Sequence, residues 1–260
     1  CPNIDALCRE GLRFEDFHVS PTCSPSRASL LTGRHESYAG VTHTINMRDR
    51  LSLKSRTVAD MLKTAGYTTG IFGKWHLGDE EAYRPDRRGF DEVYIHGAGG
   101  IGQNYAHSAD FPNNDYNNPV LYHNGRAIET KGFCTDLFFD QAIRWIEQQQ
   151  KSEQQFFCYI TPNVNRGPHI PPILPDGTKG DSMVNLDENV GKIGQNIKHG
   201  LLVLLNAQMP IRGVYFDTMV ASYCLEPERS HSMDNMAADY LNYECVPISA
   251  LIGKGKNQLF

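Results

Sequence analysis

The chain has 260 residues, of which 40% are apolar, and its 25 Lys and Arg against 30 Asp and Glu give a net charge of −5 at pH 7. This apolar content is enough for a sizeable core and excludes a mostly disordered chain. The acidic balance argues against a dedicated nucleic-acid binder, because such domains are usually basic. The longest aliphatic run, Leu201–Leu205, is far shorter than the ~20 residues of a membrane span, so we expect no membrane association.

The first half of the chain alternates helix and strand signals. Pro2–Gly11 reads as a helix that stops at its glycine. A second helix is predicted over Ser24–Leu31, with Ser24 as N-cap, Pro25 as its first residue and Gly33 just past its end. The apolar residues that follow Thr57 recur at helical spacing until Gly66, which predicts a third helix.

Two strands and another helix are predicted farther along. Tyr67–Phe72 and Phe156–Ile160 read as buried strands, and Asp136–Glu147 as an amphipathic helix. Ala98–Asn124 is rich in Gly, Asn and Pro and is predicted to be a long loop over the active face. The alternation favours an α/β sandwich around a mostly parallel sheet.

Seven cysteines lie far apart, and no C-x-x-C pair occurs among them, so neither a disulfide framework nor a zinc site is indicated. Cys23 differs from the others, because it lies directly before a predicted helix N-terminus, where free N–H groups and the helix dipole favour an anion. Arg27, in the first turn, can project towards the same place. From spacing alone, Cys23 could equally be a structural cysteine before an ordinary capped helix.

Two motifs resemble the formylglycine-dependent sulfatases. Cys23–Arg27 (CSPSR) continues to LTGR at Arg34, and Gly73–Gly78 reads GKWHLG. The resemblance covers about residues 2–190 and implies a truncated sandwich of the alkaline-phosphatase type. It also implies a sulfuric ester hydrolase that cleaves aryl or carbohydrate sulfate esters.

The resemblance assigns a role to each motif residue. Cys23 would be oxidised to formylglycine by a maturation enzyme, and it would serve as the nucleophile and as a ligand of Ca²⁺ or another divalent metal. Arg27 would steady the hydrated aldehyde, whereas Lys74 and His76 would bind the sulfate group and protonate the leaving alcohol. The expected partner is a sulfated small molecule or carbohydrate.

The chain also departs from the sulfatase pattern. The family's N-A-P-H-G-P block is Asn163–Pro168 here, with Arg166 at the histidine position, so Arg166 and His169 are the predicted further sulfate-binding residues. The family's two pairs of metal-binding acidic or amide residues find no match. Ca²⁺ prefers six to eight oxygen ligands, so we expect weak metal binding and little or no turnover by this chain.

Residues 191–258 resemble a part of the 3′–5′ exonuclease domain of bacterial DNA polymerase I. The domain prediction is therefore 1–190 as an incomplete sulfatase-like domain and 191–260 as a partial exonuclease-like α/β segment. That segment lacks the family's catalytic carboxylates, one of which is replaced by Gly200. The alternatives to a sulfatase are a nucleic-acid-associated remnant and an inert chimera formed by fusion of two fragments. The first residues contain neither a starting Met nor a signal pattern, and the compartment stays undetermined.

Overall fold

The computed structural model describes residues 1–10, 17–164 and 169–193. Its helices are α1 (Pro2–Glu10), α2 (Cys23–Thr32), α3 (Val58–Thr64), α4 (Cys134–Lys151) and α5, which is described over 182–193. Its strands are β1 (Thr68–Lys74), β2 (Glu92–His96), β3 (Asn104–Tyr105), β4 (Ser108–Ala109), β5 (Val120–His123), β6 (Arg126–Glu129) and β7 (Phe156–Thr161). The segment 191–260, which the sequence analysis predicts to be exonuclease-like, lies outside the described residues except for 191–193.

A five-stranded sheet with the order β6-β5-β2-β1-β7 forms the centre of the fold. β1 pairs in parallel with β2 on one side and with β7 on the other. β5 and β6 are antiparallel, and their turn is Asn124-Gly125, where both residues have positive φ. Such turns suit a two-residue hairpin because their twist matches that of the strands. The sheet is therefore mixed, with the predicted parallel arrangement confined to β2, β1 and β7.

Helices cover both faces of the sheet, as the α/β prediction requires. Along β1 the side chains alternate, so that Ile71 joins the core under α2 and α3 whereas Phe72 joins the core under α4. On the α4 side, the rings of Phe72 and Trp145 lie 5.7 Å apart. Burial of each such side chain contributes about 1.5–3 kcal/mol to the free energy of unfolding.

The predicted helices and strands are present with modest shifts of their ends. The largest shift is at the end of α4, which continues beyond Glu147 to Lys151. The segment predicted as the loop Ala98–Asn124 contains the β3–β4 hairpin and all of β5, so it is more ordered than its composition indicated. No helix within the described ranges is long and apolar enough to span a membrane.

α5 connects two distant helices. The carboxylate of Asp187 accepts hydrogen bonds from the backbone N–H of Asn3 at 3.2 Å and of Ile4 at 2.9 Å, in the first turn of α1. On the other side, Asp136 of α4 accepts from the amides of Asn185 and Asn189 at 2.8 and 2.7 Å. Asp187 therefore supplies hydrogen-bond acceptors for helix N–H groups that lack intrahelical partners.

Candidate active site

Cys23 is the first residue of α2. Thr22 occupies the N-cap position in extended conformation, with φ −133° and ψ 160°, and its side chain makes no capping hydrogen bond. The first-turn N–H groups are therefore not blocked by that side chain, as an anion site requires. The prediction of Ser24 as N-cap is wrong, because the helix starts one residue before it. The hydroxyl of Ser24 is buried and has no hydrogen-bond partner among the described residues.

The thiol of Cys23 contacts a histidine from the end of β1. Its Sγ lies 3.2 Å from His76 Nδ1, and His76 Nε2 lies 2.8 Å from the carbonyl oxygen of Thr44. A carbonyl only accepts hydrogen bonds, so Nε2 carries the proton and Nδ1 offers its lone pair to residue 23. The neutral imidazole is thus oriented as a base towards the predicted nucleophile.

His76 reaches this position through an unusual backbone. Its φ is +56°, in the left-handed region, so the extended conformation of β1 does not continue to His76. Both side chains are nevertheless buried, and the charge of Lys74 acts on the His76 imidazole. The turn after β1, rather than strand alternation, brings the two residues to one site.

Arg27 lies one helical turn after Cys23 and reaches the end of β1. Its Nη1 donates to the backbone carbonyl of Lys74 at 2.6 Å, and the hydroxyl of Thr161 donates to the same oxygen at 2.7 Å. Gly73 permits this close approach of β1 and β7, because a Cβ there would lie 2.2 Å from the Thr161 carbonyl oxygen. The ends of the two parallel strands and the start of α2 therefore meet at one point.

Both histidines of the site stay neutral. Burial, together with the cations Lys74 and Arg27 and the neighbouring His96, lowers the pKa of His76 to about 3. Burial likewise lowers the pKa of His96 to about 3, with Lys74 and Arg27 adding to the effect. The cluster thus places two cations, Lys74 and Arg27, beside two neutral imidazoles, an arrangement that favours a bound anion.

His96 is a candidate site residue that sequence reasoning missed. It ends β2 directly opposite Lys74, and it is 1% exposed. Its Nδ1 donates to the carbonyl of Gly97 at 2.5 Å, whereas its Nε2 has no hydrogen-bond partner within the described residues. The buried amide of Asn163, just after β7, also has no partner there. His96 and Asn163 could have been predicted as site residues because each follows or ends a strand parallel to β1, and the carboxyl ends of parallel strands lie at one edge of a sheet.

The other two predicted sulfate-binding residues are Arg166 and His169. Arg166 lies outside the described residues, so its role stays a prediction. His169 is exposed, and within the described part of the chain it makes no hydrogen bond or ion pair with the residues around Cys23. The structure thus brings together Cys23, Arg27, Lys74 and His76 of the predicted set.

The described residues do not fit the expected Ca²⁺ site. Calcium takes six to eight oxygen ligands, mostly from carboxylates and carbonyls. The charged and imidazole groups that act on His76, the residue in contact with Cys23, are instead Lys74, Arg27 and His96. No group of three or more His, Cys, Asp or Glu side chains in the described ranges could hold a metal ion. Metal binding through Cys23 therefore stays a prediction from the resemblance.

Comparisons with known proteins agree with the motifs. The family profile described as Sulfatase matches residues 1–237. Human arylsulfatase G is 34% identical over 76% of this chain, and dog N-acetylgalactosamine-6-sulfatase is 30% identical over 74% of it. The chain spans 43% and 41% of the lengths of these two relatives.

A solved structure has a similar fold. The crystal structure of Ps i-CgsB in complex with k-i-k-neocarrahexaose matches 76% of this chain and 49% of its own, with 25% identity and a TM-score of 0.65. The family match continues past the boundary predicted at 190, and the exonuclease resemblance stays a prediction. Because the family profile matches most of the chain and the sulfatase motifs converge on one buried site, this chain belongs to the sulfatase family.

Proposed function

We propose that this site binds sulfate esters and supplies the nucleophile for their hydrolysis. The observation that carries the proposal is the 3.2 Å contact between Cys23 Sγ and His76 Nδ1 within a buried cationic cluster. A sulfate ester is an anion, and buried cations stabilise both the bound ester and the charge that develops as its S–O bond breaks. N-acetylgalactosamine-6-sulfatase is named for a sugar, and the structure of Ps i-CgsB contains the carbohydrate k-i-k-neocarrahexaose. We therefore favour a carbohydrate sulfate over an aryl sulfate as the substrate.

The orientation of His76 supports a role for this residue as a base and then as an acid. Converted to formylglycine and hydrated, Cys23 would supply an oxygen nucleophile for attack on the sulfur of the ester, with the alcohol as the leaving group. His76 Nδ1, 3.2 Å from Cys23 Sγ, is placed to take the proton of that nucleophile and, as imidazolium, to return it to the departing alcohol oxygen. The same imidazole, neutral again, would take the second proton, whose loss would let the aldehyde reform and sulfate leave.

Lys74 and Arg27 control the protonation of His76 in this scheme. Without an anion, burial and the two cations hold its pKa at about 3, so His76 is a neutral base. The negative charge of a bound sulfate group offsets the repulsion between the cations and a protonated His76, and it therefore raises the pKa of His76. His76 therefore gains a proton only when an ester is present.

The first experiment examines Cys23 itself. The chain is co-expressed with a formylglycine-generating enzyme, and peptide mass spectrometry compares Cys23 with Cys8, an exposed thiol outside the motif. We expect partial conversion to formylglycine at Cys23 and none at Cys8. Only unmodified thiol at Cys23, with a control sulfatase converted in the same cells, would contradict the proposal.

The second experiment measures inorganic sulfate binding by calorimetry. Lys74→Met removes a buried cation, so we expect at least about tenfold weaker binding, the order of loss for a charge-assisted contact. The matched control is Lys54→Met, because Lys54 is an exposed lysine. Equal affinity in the native chain and in Lys74→Met would refute sulfate binding at this site.

A further inference from the structure

Residues 97–110, called the arm here, form a compact loop around one buried carboxylate. Asp110 Oδ1 accepts from the backbone N–H of Gly97 and Asp110 Oδ2 accepts from that of Gly102, each at 2.8 Å. The backbone N–H of Asp110 donates to the carbonyl of Gln103 at 2.8 Å. These bonds fix both ends and the middle of the arm around the β3–β4 hairpin.

A second carboxylate attaches the arm to the segment that carries His76. Asp79 lies three residues after His76, and it accepts from the N–H of Ala98 at 3.0 Å and from the hydroxyl of Ser108 at 3.2 Å. Because both ends of the arm are bonded to Asp79, the arm keeps a fixed position relative to His76. Buried hydrogen bonds to a carboxylate of this kind hold functional loops in place.

The arm also touches the catalytic histidine directly. A Cβ on Gly99 would lie 2.4 Å from His76 Cε1 and 2.8 Å from His76 Nε2, so only glycine fits at this position. The same Cβ would lie 3.0 Å from the side-chain oxygen of Gln103. The backbone of the arm is therefore packed on the imidazole, with Gln103 beside it.

A pocket opens from the Cys23 thiol between the arm and the chain before β1. Its lining residues are Cys23, Thr44, Ile45, His76, Gln103 and Tyr105. Tyr105 is 45% exposed, which places it at the mouth, whereas Gln103 is half-buried. No Asp, Glu, Lys or Arg lines this pocket in the described part of the chain, so the part of the ester beyond the sulfate group meets a neutral, amphipathic surface.

We propose that Gln103 and Tyr105 select the alcohol part of the ester and that they recognise a pyranose ring. The amide of Gln103 can donate to and accept from ring hydroxyl groups, and the Tyr105 ring offers an apolar face to the C–H groups of a sugar. This inference rests on the proposed function and extends it from the sulfate group to the alcohol. The rigid attachment of the arm through Asp79 and Asp110 limits the entropy lost when the sugar binds.

The test compares three probes by calorimetry on the full chain: inorganic sulfate, galactose 6-sulfate and phenyl sulfate. We expect galactose 6-sulfate to bind about tenfold more tightly than inorganic sulfate. Tyr105→Ala should remove most of this difference and leave the affinity for inorganic sulfate unchanged, and Gln103→Ala should act in the same direction. Tyr38→Ala is the matched control, because Tyr38 is an exposed tyrosine outside the pocket.

The outcomes separate the two proposals. Binding of inorganic sulfate without any gain for galactose 6-sulfate overturns the role of the arm alone. Phenyl sulfate binding as tightly as galactose 6-sulfate overturns the pyranose assignment. An equal loss for all three probes in Tyr105→Ala would assign this residue a structural role. Failure of inorganic sulfate to bind the native chain refutes the proposed function, and the inference about the arm with it.

Discussion

At the scale of single residues, the site depends on imidazoles that stay uncharged next to cations. His96 is buried, and its Nδ1 donates to the Gly97 carbonyl, so its Nε2, which finds no hydrogen-bond partner among the described residues, is an acceptor. Protonation of this ring would add a third positive charge beside Lys74 and Arg27, which both lower its pKa. The native state therefore resists protonation of His96 until the solution is strongly acidic.

This resistance predicts how stability changes with pH. The pKa of His96 falls from 6.5 to about 3 on folding, so between these values the unfolded state binds one more proton than the native state. The contribution of His96 is fully present above pH 6.5, and it is lost by up to about 1.4 kcal/mol per pH unit as the pH falls towards 3. His76 acts in the same direction, whereas Asp79, whose pKa burial raises to about 6, acts in the opposite one.

Urea unfolding between pH 7 and pH 4 isolates the His96 contribution. His96→Asn keeps a donor for the Gly97 carbonyl but does not titrate, so its free energy of unfolding should fall less steeply with decreasing pH than that of the native chain. The control is His107→Asn, because His107 is exposed and its φ of +65° suits asparagine. Equal pH slopes for His96→Asn and the native chain would show that His96 is not buried in its neutral form.

The four predicted site residues that the structure brings together lie in two contiguous motifs. Cys23 and Arg27 share one helical turn, and Lys74 and His76 share one strand end, so short-range pattern was sufficient to identify them. His96 could not be found in this way, because its place in the site follows from the β1–β2 register. The left-handed φ of His76 could not be predicted from the sequence either, because it is the surrounding contacts that hold a histidine in this backbone conformation.

At the scale of elements, composition was a poorer guide than specific turn residues. The polar stretch Ala98–Asn124 was predicted as a loop, yet its last residue forms the Asn124-Gly125 turn, the typical dipeptide of a two-residue hairpin. The arm could not be predicted, because Asp79 and Asp110 fix it through contacts 19 and 13 residues apart. Strands as short as β3 and β4, which have two residues each, contain too few residues to show a hydrophobic periodicity from which they could be predicted.

α3 offers a test of how much a single cap stabilises its element. Thr57 caps this helix in a capping box with Asp60, and its buried hydroxyl also donates to the Arg88 carbonyl at 2.8 Å. Thr57→Ala should lower the free energy of unfolding by about 1–2 kcal/mol, because it removes the cap and leaves buried polar groups unpaired. Thr64→Ala, at the exposed end of α3, should change it by less than about 0.5 kcal/mol. Similar losses for the two variants in urea unfolding would contradict a special role for the cap.

At the scale of the whole molecule, the described residues supply one part of the site that we propose. The described residues bring a nucleophile position, two cations and two histidines to the edge formed by β2, β1 and β7. They do not bring the oxygen ligands that Ca²⁺ requires. We therefore expect a separation of anion binding from catalysis, because the described residues supply the cations for the first but lack the metal ligands for the second.

The separation predicts that this chain binds sulfate but hydrolyses sulfate esters only near the background rate. Loss of one preorganised group that stabilises charge in the transition state typically costs about 10²–10³ in rate, and a calcium site supplies more than one such contact. The measurement is 4-nitrocatechol sulfate hydrolysis by chain converted at Cys23, with added Ca²⁺ and with chelator, against Cys23→Ala. Equal rates in all three samples are expected. A calcium-dependent rate that disappears in Cys23→Ala would mean that residues outside the described ranges complete the metal site.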